Sequence, residues 1–175
     1  MVKSDAGREA GLAALELLLV LPVLAGIMLS LVWGIKAASR NYLELRARAE
    51  VRQEVQQAFI RVVDDCLGAT AISRGNTVES IRIYDGERAV KEYFVNEDKN
   101  HVRKLVENRA NLPMTGNHAW AMVEVTSFGV KAVDAAGRPG LYRIWLAARG
   151  TRAAGETYSL ATEVYLPPQN SGGRP

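Results

Sequence analysis

The chain has few side chains placed to do chemistry, and the most informative is a carboxylate. Glu16 is the only charged residue in the 24-residue stretch Leu12–Ile35, LAALELLLVLPVLAGIMLSLVWGI. An acid near one end of a membrane-length apolar run is costly, so its presence asks for a functional explanation. The chemistry open to it there is attraction of a cation. An amine and a carboxylate attract strongly in low dielectric, and each is costly if left alone. Gly11 immediately precedes the stretch, and Glu16 is the fifth residue after it.

Other groups offer less. Asp64 and Asp65 are adjacent acids, but no partner residue for general acid–base work is identifiable, and solvated helix positions are the simpler reading. Asn96-Glu97-Asp98-Lys99-Asn100 has oxygen ligands for calcium; it lacks EF-hand spacing and Lys99 repels a cation, so a polar turn is expected. His101 and His118 stand beside no Ser or Cys nucleophile motif. Cys66 is the only cysteine, which excludes an intrachain disulfide and favours a small buried side chain. There is no HExxH, no P-loop and no GxGxxG between a strand and a helix. Arg46, Arg48, Arg52 and Arg61 could meet DNA phosphates, but a solvated helix face pairing with Glu44 and Glu50 is favoured. Trp120, Trp145, Phe94, Phe128 and Tyr142 fall at strand positions and suit packing better than a ligand platform. The expectation is a protein that is not an enzyme and holds no cofactor or metal.

The elements that position Glu16 come next. As a helix, Leu12–Ile35 spans about 36 Å, enough to cross a hydrocarbon core of about 30 Å. Fourteen of its residues are Leu, Ile or Val. At roughly −0.3 to −0.6 kcal/mol each they outweigh one acid, which costs about 2.5 to 3.5 kcal/mol at the centre and less near an end. The run is too long for a secretory signal peptide, and Lys36-Ala37-Ala38-Ser39 is a poor cleavage site. Aliphatic residues on every face argue against a soluble core helix. Pro22 removes a backbone donor and is expected to kink the helix, and Gly26 and Gly34 allow another helix close.

Beyond Ile35 the chain turns polar but keeps a helical beat: Ala47, Val51, Val55, Ala58, Val62 and Cys66 form one apolar stripe, which stops at Leu67-Gly68. The pattern then changes to strands. Val78–Tyr84 and Val90–Val95 make a hairpin about Asp85–Arg88, and His101–Val106 is a third strand. Asn108–Asn117 reads as loop, and Trp120–Thr126, Val130–Val133, Leu141–Ala147 and Tyr158–Leu166 as further strands, with a turn at Gly137–Gly140. Residues 1–35 removed, 140 of 175 remain, enough for one modest core. Lys plus Arg is 22 against 19 for Asp plus Glu, a balance that selects no partner. The fold class is α+β: a long N-terminal helix, one half transmembrane and one half amphipathic, packed on an antiparallel sheet. The divisions are a polar N-terminal segment 1–11, which the resemblance described next makes a leader, a transmembrane helix 12–35, an amphipathic helix 36–67, a β-rich head 68–168 and a flexible tail 169–175.

The run Gly11-Leu12-Ala13-Ala14-Leu15-Glu16-Leu17-Leu18-Leu19-Val20 resembles the cleavage segment of type IV prepilins. In that family a short polar leader ends in Gly, and a Glu sits five residues into the mature chain inside an apolar helix. Here Gly11, Leu12 and Glu16 fall on those positions. The head looks like the minor pilin or pseudopilin class on looser patterns, among them Glu79–Tyr84, Glu92–Val95 and Tyr158–Leu166. Pseudopilins of tight-adherence systems are close rivals.

The resemblance implies a prepilin peptidase cutting after Gly11 on the cytoplasmic side, N-methylation of Leu12, and a pilin-like fold. It implies assembly through Glu16 and the Pro22-bearing helix with other pilin or pseudopilin subunits, driven by an inner-membrane assembly platform. Glu16 would then answer the Leu12 amine of a neighbouring chain or its own. The chain would sit first in inner-membrane lipid, leader cytoplasmic and head outside, then in a surface filament or pseudopilus. The positive-inside rule by itself would place Lys36, Arg40, Arg46 and Arg48 in the cytoplasm; the resemblance places the leader there. A membrane-anchored binding module that never polymerises is the alternative.

Overall fold

The computed structural model describes the backbone of residues 5–108, 112–116, 123–133, 140–151 and 157–167, and side chains from residue 15 onward within those ranges except at 112. The first element is a helix, α1, running Asp5–Leu67 without interruption through Pro22. It begins ahead of Leu12, so residues 5–11 of the segment expected to be a leader are helical. By internal packing the chain divides into two units, Met1–Glu44 and Leu45–Pro175.

In the first unit the described side chains are exposed on every face of α1. Exposure continues past the apolar stretch: Tyr42, Leu43 and Leu45 are still open. The amphipathic half therefore starts packing later than residue 36. Arg46 is the last of the fully exposed run.

Among its described residues the second unit holds the end of α1 and eight strands: β1 (Ala71–Arg74), β2 (Ser80–Asp85), β3 (Arg88–Glu97), β4 (Arg103–Glu107), β5 (Leu112–Pro113), β6 (Val123–Ala132), β7 (Leu141–Gly150) and β8 (Thr157–Tyr165). They form two antiparallel sheets where one was expected, β1-β2-β3-β4-β5 and β6-β7-β8. The stripe on α1 explains the assembly. Val51, Val55, Ala58, Val62 and Cys66 are buried, and Phe59 joins them. They meet Ile81, Ile83, Tyr93 and Leu105 of the first sheet and Val125, Phe128, Ile144 and Leu146 of the second. Each strand set alternates in sequence, so one face of each sheet is apolar and needs a cover. The result is the α+β layout, in keeping with a pilin-like fold.

Several boundaries differ from the sequence pattern. The strands expected at Trp120–Thr126 and Val130–Val133 are one strand, β6, whose register slips between Val125 and Ser127. Such a bulge breaks the period of two and hides continuity. Val78 is exposed ahead of β2. His101 adopts a positive φ of 58° and precedes β4. The expected loop Asn108–Asn117 contains β5, where Pro113 pairs with Val106 at the sheet edge. The Gly137–Gly140 turn lies outside the described residues except for Gly140, and so do Trp120, His118 and the expected tail 169–175.

Candidate assembly surface

The surface begins with the backbone of α1. Gly11, Leu12, Glu16 and Pro22 all lie on this one helix, with Leu12 one turn before Glu16. A period of 3.6 puts Glu16 on the same face as Val20, Val23, Ile27, Ser30 and Gly34, whereas Pro22, six residues on, falls on another. The helix therefore brings Glu16 together with the small residues and separates it from the proline. Along that face a shallow groove runs between Val23 and Ala38, floored by Gly26, Ser30 and Gly34. A methyl group at Gly26 or Gly34 would meet nothing within 4 Å. Ser30 Oγ donates to the Gly26 carbonyl at 2.8 Å, so the one hydroxyl in the groove is satisfied within the helix. Glu16 is exposed, and the large apolar side chains from Leu15 to Ile35 are 51–73% exposed. Among the described residues α1 is long and apolar enough to cross a membrane.

The head accounts for most of the other candidate groups as structural ones. Asp65 is tied to β3: Lys91 Nζ donates to both its carboxylate oxygens at 2.8 Å, and the Tyr93 hydroxyl donates to Oδ2. Burial pushes the Tyr93 phenol far above its usual range, and the bond to Asp65 pushes it further. Asp64 is exposed beside it. Arg61 reaches the buried Glu107 of β4 at 2.9 Å, Arg46 pairs with Glu50 at 2.8 Å, and Arg52 lies 5.8 Å from the centre of the Tyr158 ring. Three of the four arginines considered for DNA thus have partners within the chain. Arg48 also interacts within the chain.

The Asn96–Asn100 tract is the end of β3, where Asn96 and Glu97 pair with Lys104 and Arg103 of β4, followed by a turn at Asp98–Asn100. Asp98 accepts from the Lys99 amide at 2.6 Å and from Lys104 Nζ at 2.8 Å, and this hydrogen bonding, Lys104 foremost, holds its carboxyl below the usual range. Its oxygens are occupied by the protein's own donors. His101 Nδ1 lies 2.5 Å from Glu97 Oε1 on the surface. Cys66 is buried, and burial, with Asp65 alongside, pushes its thiol up to about 12. Phe128 is core; Trp145 crosses to the outer face of its sheet and covers Gly129, where a methyl group would sit 2.6 Å from the indole.

Lys91, Tyr93 and Glu107 were not singled out by sequence reasoning. The signal for the first two is their spacing: Lys91 and Tyr93 share a strand face, so a cation accompanies a core tyrosine inward and must find an acid there. Comparisons with protein-family models, with curated proteins and with solved structures each find no match.

Proposed function

We propose that this chain is a non-enzymatic structural subunit, a minor pilin or pseudopilin of a type IV pilus, competence pilus or type II secretion pseudopilus. The observation that carries the reading is the exposure of the whole Leu15–Ile35 surface with a carboxylate, Glu16, open among its apolar side chains. Such a surface requires lipid or other apolar helices around it, and the acid requires a cation. A new amino terminus at Leu12 supplies that cation. Leu12 precedes Glu16 by one turn, so the amine answers its own carboxylate in a free subunit and a neighbour's in an assembly. Methylation leaves the amine basic. The pairing sets register, because a slipped neighbour strands a buried charge.

In this reading the prepilin peptidase cuts between Gly11 and Leu12 at the cytoplasmic face of the inner membrane. The assembly platform then draws the subunit from lipid into a filament of sister subunits, with the head outward. A tight-adherence pseudopilin uses the same helix chemistry. The membrane-anchored binding module is the second reading, since one apolar helix also serves as a plain anchor. Intact mass of the membrane-extracted chain separates the two. In cells with an active prepilin peptidase the subunit is expected without residues 1–11 and with an added methyl group, and Gly11→Leu is expected to remain full length. A wild-type chain that keeps Met1 there makes the anchored module the correct reading.

A further inference from the structure

Among the described residues the two sheets present four edges, and three of them are blunted. β1 is four residues long and ends in the exposed Arg74. β5 is two residues long and contains Pro113. β6 carries a bulge and Lys131, and Arg103 Nη1 donates to its Thr126 carbonyl at 3.1 Å. Short strands, prolines, bulges and lysines are the devices that keep a sheet edge from taking another strand.

β8 has one charge, Glu163, which Arg143 of β7 already engages, and none of the other devices. Its sequence, TYSLATEVY, contains no Pro, Gly or Lys, and it pairs with β7 through nine consecutive residues without a register shift. Among the described residues no strand pairs with its far edge. Nine residues of extended chain give an edge of about 30 Å with a row of outward N–H and C=O groups.

We infer that the far edge of β8 takes an extended segment of a partner polypeptide as a fourth strand of its sheet. The side chains state what that segment is. On the inner face Tyr158 and Leu160 pack against the core and Val164 is buried, so the added strand is apolar at alternate residues. On the outer face Ser159 and Ala161 are small and exposed, leaving room for a bulky side chain opposite. Glu163 is the edge's only charge. Arg143 Nε and Nη2 both donate to its Oε1, at 3.1 and 2.6 Å, which leaves Oε2 for a second cation. β7 shows the pattern β8 already accepts: Arg143 opposite Glu163, Trp145 opposite Ala161 and Leu146 opposite Leu160. The partner is therefore an alternating apolar segment with a cation at the Glu163 position and a large residue two positions on. The inference stands on the head by itself and holds whether or not the chain is processed or polymerised.

The test uses the full chain in detergent micelles and a fluorescent peptide of the β7 sequence, LYRIWLAARG, as probe. Saturable binding is expected for this peptide and at least tenfold weaker binding for a scrambled peptide of the same composition. Ala161→Lys places a blocking charge on the edge and is expected to lose binding at least tenfold while melting normally; if it melts early, Ser159→Lys takes its place. Equal binding of the scrambled peptide, or binding that survives the lysine, overturns the inference, as does no binding. A peptide of residues 157–165 runs alongside. If it alone binds, the occupant is a second copy of β8 and the stated partner chemistry is wrong.

Discussion

Asp65 looked from its sequence position like half of a solvated acid pair, and Cys66 like the end of a stripe. Both are anchors of α1 in the head. Lys91 and Asp65 are each about a quarter exposed, so their contact is shielded enough to matter. Removing the cation leaves a half-buried carboxylate short of donors, which costs about 1–3 kcal/mol, whereas Tyr93→Phe removes one donor and costs about 1 kcal/mol. We expect Lys91→Met to lower the melting temperature more than Tyr93→Phe does. The double variant should be non-additive, because both donors serve one acid. Equal and additive shifts would show that Asp65 is solvated after all. Cys66 gives a second expectation. Its thiol moves from an ordinary 9.0 to about 12 in the folded head, so the folded protein binds that proton more tightly than the unfolded one. The stabilisation is intact below about pH 9 and is lost as pH climbs through the folded value. Tyr93, shifted the same way, adds to the alkaline loss. At about pH 8 the thiol should resist alkylation in the native protein and react promptly in denaturant. Rapid native labelling would place the side chain at the surface.

Whole elements are set by a few backbone positions. Gly140 enters β7 at a φ of 98°, and its carbonyl accepts the Leu166 amide at 2.8 Å where β8 ends. A Cβ there would lie 2.1 Å from the Leu166 carbonyl oxygen. Backbone cannot swing aside as a side chain can, so Gly140→Ala combines steric overlap with a disfavoured dihedral and should cost roughly 1–3 kcal/mol. At about 2–4 °C per kcal/mol the change is visible in a melt of the full chain. A neutral effect would mean that β7 and β8 do not close in this way. Gly140 also shows what the sequence could reveal. A turn near it was legible because Gly-Arg-Pro-Gly is turn chemistry; the close approach of Leu166 was not, because it is a contact between distant segments. The same division runs through the fold. The stripe from Ala47 to Cys66 and the hairpin about Gly86 announce themselves by local period and turn residues. The strand Ala71–Arg74 is too short to show a period, and the bulge at Val125–Ser127 splits β6 in the pattern though not in space. The second sheet was invisible for a related reason: alternation tells which residues face inward, not which strands share hydrogen bonds. At the candidate assembly surface Glu16 was conspicuous by its charge. The face it shares with Ser30 and Gly34 becomes apparent only when the helical period is followed over eighteen residues, a span in which any phase break would have scrambled it.

On the proposed function, the question for the molecule as a whole is whether Glu16 acts in reaching the membrane or in leaving it. Fourteen branched aliphatics drive insertion, and the acid opposes it by at most a few kcal/mol near a helix end. Glu16→Ala should therefore insert as well as the wild type or better. Its effect belongs to the next step. In the assembly proposed above, the Leu12 amine of each trimmed subunit would be desolvated and without Glu16 would have no counter-charge; the penalty for one unpaired buried charge is about 3–5 kcal/mol, or roughly two to four orders of magnitude in association. The variant should fractionate with the membrane normally, be trimmed after Gly11 normally, and fail to co-purify with sister subunits. Glu16→Gln sharpens the point, since it keeps the size and a hydrogen-bond acceptor and loses only the charge. If Gln restores co-purification while Ala does not, the side chain acts by hydrogen bonding, and the ion-pair account is replaced. If both variants co-purify at wild-type levels, the acid has no part in assembly. If both fail while insertion and trimming stay intact, charge pairing across neighbouring helices is what Glu16 provides.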